Sequence, residues 1–178
     1  MKRWLMGACA LLTAGTAQAE DAGEIYATVG GWEISAEAPT QRCLMQRFFR
    51  SQDGKKLEGL TVLYAADKEA VFLVWSNDYM THLPAKGDLE LGLAFKNGAS
   101  VDQSWGIRSL HYDKVGKDYL FTRIFTDAQE ARRILRDLAA SEHMGLFHGP
   151  ALLTSIPLNA AEAIDKLREC SLNGGLVR

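Results

Sequence analysis

His111 and Asp113 stand two residues apart in a segment that reads as a β-strand, so both side chains leave the same face. Such a pair could ligate a metal ion or act as a base with an orienting carboxylate. A metal centre needs three or four converging ligands, and no neighbour supplies the rest at a recognisable spacing. The plainer reading is a surface His-Asp pair near a hairpin end. His143 and His148 are five apart, an odd spacing that sends them to opposite faces of a strand. His82 and Asp78 share the polar loop Asn77 to Gly87 and would meet only if that loop curled. The chain has no Gly-x-Ser-x-Gly elbow and no His-Glu-x-x-His helix, and its carboxylates form no obvious pair. No catalytic residue, metal ligand or cofactor is therefore assigned.

Two groups are candidates for contact rather than catalysis. Tyr79, Met80 and His82 fall in that same loop, and exposed aromatic and methionine side chains suit a partner surface. Arg132, Arg133 and Arg136 cluster on the polar side of a helical segment. They could grip an anionic partner, or serve simply as the solvated face of an amphipathic helix.

The cysteines carry the strongest signal. Met1 to Ala19 has the form of a secretory leader: Lys2 and Arg3, an apolar stretch from Trp4 to Ala14, and small residues at Ala17-Gln18-Ala19. Met6-Gly7-Ala8-Cys9 faintly resembles a lipoprotein box, but the apolar stretch before it is short for a signal core. Cleavage after Ala19 would leave 159 of 178 residues, one domain's worth, with Cys43 and Cys170 as its two cysteines. In an oxidising compartment a lone pair of thiols usually becomes a bridge, and neither cysteine has the near neighbour of a redox motif. A periplasmic or secreted location follows as an expectation.

The formal charge of −2 becomes −4 without Lys2 and Arg3, a poor footprint for nucleic-acid binding. With 47% apolar and 24% charged residues the chain reads as globular rather than disordered, and beyond Ala19 no apolar run is long enough to span a bilayer.

The positioning elements read mostly as strands. Trp32-Glu33-Ile34-Ser35 alternates, and Arg42 to Phe49, which also has helical spacing, is assigned as a strand because of the turn signal at Ser51-Gln52-Asp53-Gly54. Leu60 to Tyr64 and Val71 to Trp75 form a hairpin. Leu89, Leu91, Leu93 and Phe95 alternate up to Lys96-Asn97-Gly98, and another pair runs to Asp113 and from Tyr119 to Phe125. Gly145 to His148 and Leu152 to Ile156 look like two more short strands. Trp32, Trp75 and Trp105 fall in these patterns and should be core.

Two helices come late. Thr126-Asp127-Ala128-Gln129 reads as a capping box with Thr126 as the cap, opening a helix over 127–140 with Ala128, Ala131, Ile134, Leu135 and Leu138 on one stripe. A second helix follows Pro157, capped by Asn159 and stopped at Asn173-Gly174-Gly175. Ala163, Ile164, Leu167 and Cys170 share its apolar face, which places the cysteine in the packed layer.

The Trp-Glu-Ile-Ser strand, the cysteine after it, the hairpins, and the closing run from Ser155-Ile156-Pro157 to Leu167-Arg168-Glu169-Cys170 resemble the small secreted proteins of the invasion-associated locus B type. That resemblance implies a non-catalytic periplasmic or secreted β-sandwich of Gram-negative bacteria. The family's extra mid-chain cysteines have no counterpart here. The expected protein is a single α+β domain over 20–178: an antiparallel β-sandwich or strongly curved sheet, two helices in the C-terminal half, and a Cys43–Cys170 disulfide. Its expected role is binding a protein or cell-envelope component, without cofactor. The rival roles are an extracytoplasmic hydrolase with an unrecognised site and a secreted inhibitor of a lytic enzyme.

Overall fold

The computed structural model describes residues 24–37, 42–50 and 54–174. The expected leader Met1–Ala19, with Cys9, lies outside the described residues, as do residues 51–53 of the turn signal and Gly175.

Among the described residues eleven strands form one antiparallel sheet: β1 (Glu24–Val29), β2 (Trp32–Glu37), β3 (Arg42–Arg50), β4 (Leu57–Ala65), β5 (Ala70–Asn77), β6 (Lys86–Asn97), β7 (Ser100–Asp102), β8 (Ile107–Val115), β9 (Asp118–Phe125), β10 (His143–His148) and β11 (Ala151–Pro157). The order is β1-β2-β3-β4-β5-β9-β8-β6-β10-β11, with β7 a short appendage on β6. The ambiguous Arg42 segment is a strand. Its helical-looking apolar spacing arises because Cys43 and Met45 face the core while Phe48 lies on the exposed side. The early strand β1 was not apparent in the sequence. It is an edge strand with three of its six residues exposed and the other three half-buried, and it turns into β2 through Gly30 and Gly31, both at positive φ.

The alternation that makes each strand also makes the core. Ile34, Met45, Leu60, Val62, Leu73, Trp75, Leu91, Phe121 and Leu146 all come from the same face of the sheet and join one buried cluster. That face supplies one core, and the sheet curls around it. The curl brings the two ends of the ladder together: Trp32 Nε1 on β2 donates to Leu158 O just past β11 at 3.0 Å. Of the two expected architectures, the strongly curved sheet is the one adopted.

Two helices cover the concave face. α1 (Ala128–Ala140) buries Ala131, Ile134, Leu135 and Leu138 against β5, β6 and β9. α2 (Ala161–Leu172) buries Ala163, Ile164, Leu167 and Cys170 against β2 and β3. Both caps differ from expectation. Asp127, not Thr126, caps α1, its Oδ1 accepting from the N–H groups of Gln129 and Glu130 at 3.0 and 2.9 Å. Asn159 does not cap α2. It adopts φ 45°, a left-handed turn that asparagine tolerates, and Ala160 takes the cap position with no side-chain bond. Cys43 and Cys170 are fully buried and bonded, with Cα atoms 6.0 Å apart. The bridge ties the last helix to the third strand across 127 positions.

Trp32, Trp75 and Trp105 are all buried, although Trp105 sits in the turn before β8 rather than on a strand. No helix among the described residues is long and apolar enough to cross a membrane.

Candidate binding cleft

The sheet's curl does not close completely. β2 begins at Trp32, and its last pair with the far part of β3 is Glu33 with Gln46. Residues 47–50 of β3 therefore run on with β4 alongside but no described strand paired on the other edge. On the opposite side of the gap, β11 pairs, among the described strands, only with β10. A cavity of about 500 Å³ opens there, lined by Phe49, Arg50, Lys56, Glu58 and His143 together with all of residues 153–157. Its volume lies within the range of small-ligand pockets, roughly 300–1,000 Å³. Arg47 Nη1 and Trp32 Nε1 both donate to Leu158 O, at 3.4 and 3.0 Å, and these bonds hold one end of the seam shut.

Glu58 lies on the floor. Leu60 and Val62 on β4 face the core, and extending the same alternation two residues back turns Glu58 inward as well. The residue is 8% exposed. Burying a carboxylate is costly without hydrogen bonds, and Trp75 Nε1 from β5 supplies one to Oε2 at 3.1 Å. Tyr79 lies beside Glu58 without lining the cavity itself. Asn77 Oδ1 accepts the N–H groups of Tyr79 and Met80 at 3.3 and 3.0 Å, a turn that bends the loop back over the sheet. The Tyr79 hydroxyl then sits buried near Glu58 and Thr154 with no hydrogen bond completed. Desolvation, and after it the charge of Glu58, raise its pKa above the ordinary phenol range. Lys56 Nζ lies 4.6 Å from the Tyr79 ring centre, and the ring meets Trp75 edge-on at 6.4 Å. At the rim, His143 has a buried Nδ1 without a partner.

The sequence candidates are distributed unevenly around this site. Tyr79 adjoins it through Glu58 and Thr154 but is not among the residues that line the cavity. Met80, expected in an exposed patch, is 6% exposed and part of the core, because the Asn77 turn folds it inward. His82 is exposed, and Asp78 does not meet it but accepts from the Leu57 N–H at 3.3 Å. The loop is pinned further along by Tyr119, whose hydroxyl donates to Leu83 O at 2.8 Å.

The three arginines of α1 lie apart from the cleft and are each paired within the fold. Arg132 reaches both Glu69 oxygens at 3.0 Å; Arg136 Nε is 3.1 Å from Asp137. Arg133 is 3.4 Å from Asp137, bonds Ser104 Oγ, and stacks 4.2 Å above the Trp105 ring, whose own Nε1 donates to Asp137. This cluster holds α1 to the turn before β8.

His111 is held between two carboxylates, with Nδ1 3.1 Å from Asp88 and Nε2 3.3 Å from Asp113. Asp88 was not foreseen; it sits directly opposite His111 on β6. All three side chains are more than half exposed. Among the described residues no group of three or more His, Cys, Asp or Glu is arranged to hold a metal ion. Glu58 and Thr154, which carry the cleft's polarity, were missed in the sequence. The alternation leading back from Leu60 was the available signal for Glu58. Comparisons with family models, with curated proteins and with solved structures find no match to this chain.

Proposed function

We propose that this chain is an exported, non-catalytic binding protein of the bacterial cell envelope, periplasmic or secreted, and that it holds its partner at the seam between β3 and β11. The observation that carries the reading is the cleft itself: about 500 Å³, open to solvent and lined by the buried carboxylate of Glu58, beside which the Tyr79 hydroxyl lies buried with no hydrogen bond completed. Buried polar groups without partners are rare in a finished core and common where a ligand completes the set. Export is supported by the leader-like start and by the buried disulfide, a bond that persists in oxidising compartments. The resemblance to invasion-associated locus B proteins points the same way. The rival hydrolase reading nominated His111 and Asp113, and these lie on an exposed face rather than in the cleft.

A site-specific photocrosslinker tests this. Placed at Ser155 on the rim and, as a control, at exposed Val115 on the β8–β9 turn, it is activated in intact cell envelope. The expected result is one dominant adduct from Ser155 and none from Val115. The same adducts from both positions, or none from either, would contradict the proposal.

A further inference from the structure

We propose that the occupant of the cleft is an extended peptide segment of a partner protein, inserted as an additional strand between β11 and the end of β3. This rests on the binding reading above and names its ligand. The argument starts from the hydrogen bonds of β11. Leu158 N–H donates to Glu142 O at 2.8 Å, which fixes the alternation of the β10–β11 ladder. Ile156, opposite Met144, and Thr154, opposite Leu146, then turn their N–H and C=O groups toward β10. Ser155 and Pro157 lie between and beyond them and must turn theirs away. Pro157 has no N–H to offer, so its place on a free edge costs no ladder bond. Ser155 presents a full donor and acceptor toward the cleft, with no described strand paired on that side.

The opposite wall is also a strand edge. Residues 47–50 of β3 continue past the end of β2, and alternate residues there point their backbone groups away from β4. A peptide strand between these two edges would find hydrogen-bonding partners on both sides. That is the recognition mode of strand addition, in which main-chain bonds give affinity and side-chain pockets give selectivity. The five lining residues 153–157 set the length at about five residues, roughly 17 Å of extended chain. Inward-pointing side chains of the peptide would meet Glu58, Thr154 and Phe49, and the carboxylate selects lysine or arginine at one of those positions. Outward-pointing ones would meet Arg50 and His143 at the rim.

The test uses the full oxidised chain and a synthetic library of acetylated, amidated pentapeptides. Binding is read by fluorescence polarisation on the best members. The expected hits carry a basic residue at an alternate position. N-methylation of the hit's backbone should weaken binding about tenfold or more, the effect of losing one or more hydrogen bonds. Ser155→Pro removes an edge N–H that the β10–β11 ladder does not use, and should weaken binding by a similar factor at an unchanged Tm. Glu58→Gln keeps an acceptor for Trp75 and should weaken lysine-containing hits about tenfold, with little effect on their glutamine analogues.

Hits insensitive to both backbone methylation and Ser155→Pro would overturn strand insertion. So would a library without hits, or a dimer of this chain dissolved by Ser155→Pro. An envelope adduct at Ser155 combined with no peptide hits would sink this inference and leave the binding reading standing. Because methylation alters the peptide and not the protein, the test survives a Ser155→Pro chain that fails to fold.

Discussion

The two ends of β3 obey the same alternation and have opposite fates. At the Cys43 end the strand is flanked by β2 and β4, roofed by α2 and bonded to it through Cys170, and both Cys43 and Met45 are fully buried. At the Phe49 end β2 has stopped, one edge has no described strand paired to it, and the neighbouring space is a polar cavity lined by Glu58. The strand's own sequence does not make this difference. It is made by what lies beside it, a helix and a disulfide at one end and a gap in the sheet at the other. Stability concentrates at the clamped end, and the loosely satisfied end is free to serve recognition.

The sharpest way to break this comparison is to cut the clamp. Replacing Cys43 and Cys170 by serine should cost 2–5 kcal/mol, about 5 kcal/mol being the loop-entropy figure for a closure this long, as read by denaturant unfolding. A loss below about 1 kcal/mol would show that the clamped end does not hold the fold. The next effect belongs to the cleft floor. Glu58→Ala strands the Trp75 N–H in a buried site and should cost about 1–3 kcal/mol, while Glu58→Gln, which retains an acceptor, should cost less than half as much.

Asp127→Ala should destabilise by about 1 kcal/mol, with Thr126→Ala close to neutral, which separates the observed α1 cap from the one expected. The smallest change is expected at Tyr79. Tyr79→Phe removes a buried hydroxyl that has no partner and should leave stability unchanged or raised by a few tenths of a kcal/mol. The pH dependence has a definite sign. Burial first, and Glu58 second, raise the folded pKa of Tyr79 above its usual 10.0, so the folded chain keeps a proton that the unfolded chain releases. The contribution is whole below about pH 10 and is lost as pH climbs beyond it. Spectrophotometric titration should show a tyrosine whose ionisation lags the rest, and Tyr79→Phe should remove that lagging phase.

Most of the scaffold was legible because strand and helix periodicities are local. Leu89 to Phe95 announces β6, the Ala131 to Leu138 stripe announces α1, and Cys170 reads as buried from its spacing to Leu167 and Ile164. β1 was not legible because an edge strand has little alternation to show. Met80 misled because a polar loop looks exposed by composition, and only the Asn77 turn, a matter of backbone direction, carries it into the core. The cleft was beyond local reading for a different reason. Glu58 and Thr154 are nearly a hundred positions apart and meet only when the whole sheet curls. Nothing in the types around Ser155 says that its edge will go unpaired, since that depends on where β2 stops.

The claim on which all of this turns is that the seam is open. Amide hydrogen exchange on the isolated, oxidised chain measures it residue by residue. Fast exchange at Ser155, between strongly protected Thr154 and Ile156, is the predicted pattern. Protection at Ser155 equal to that of its two neighbours would mean that the edge is already covered, and would contradict the account.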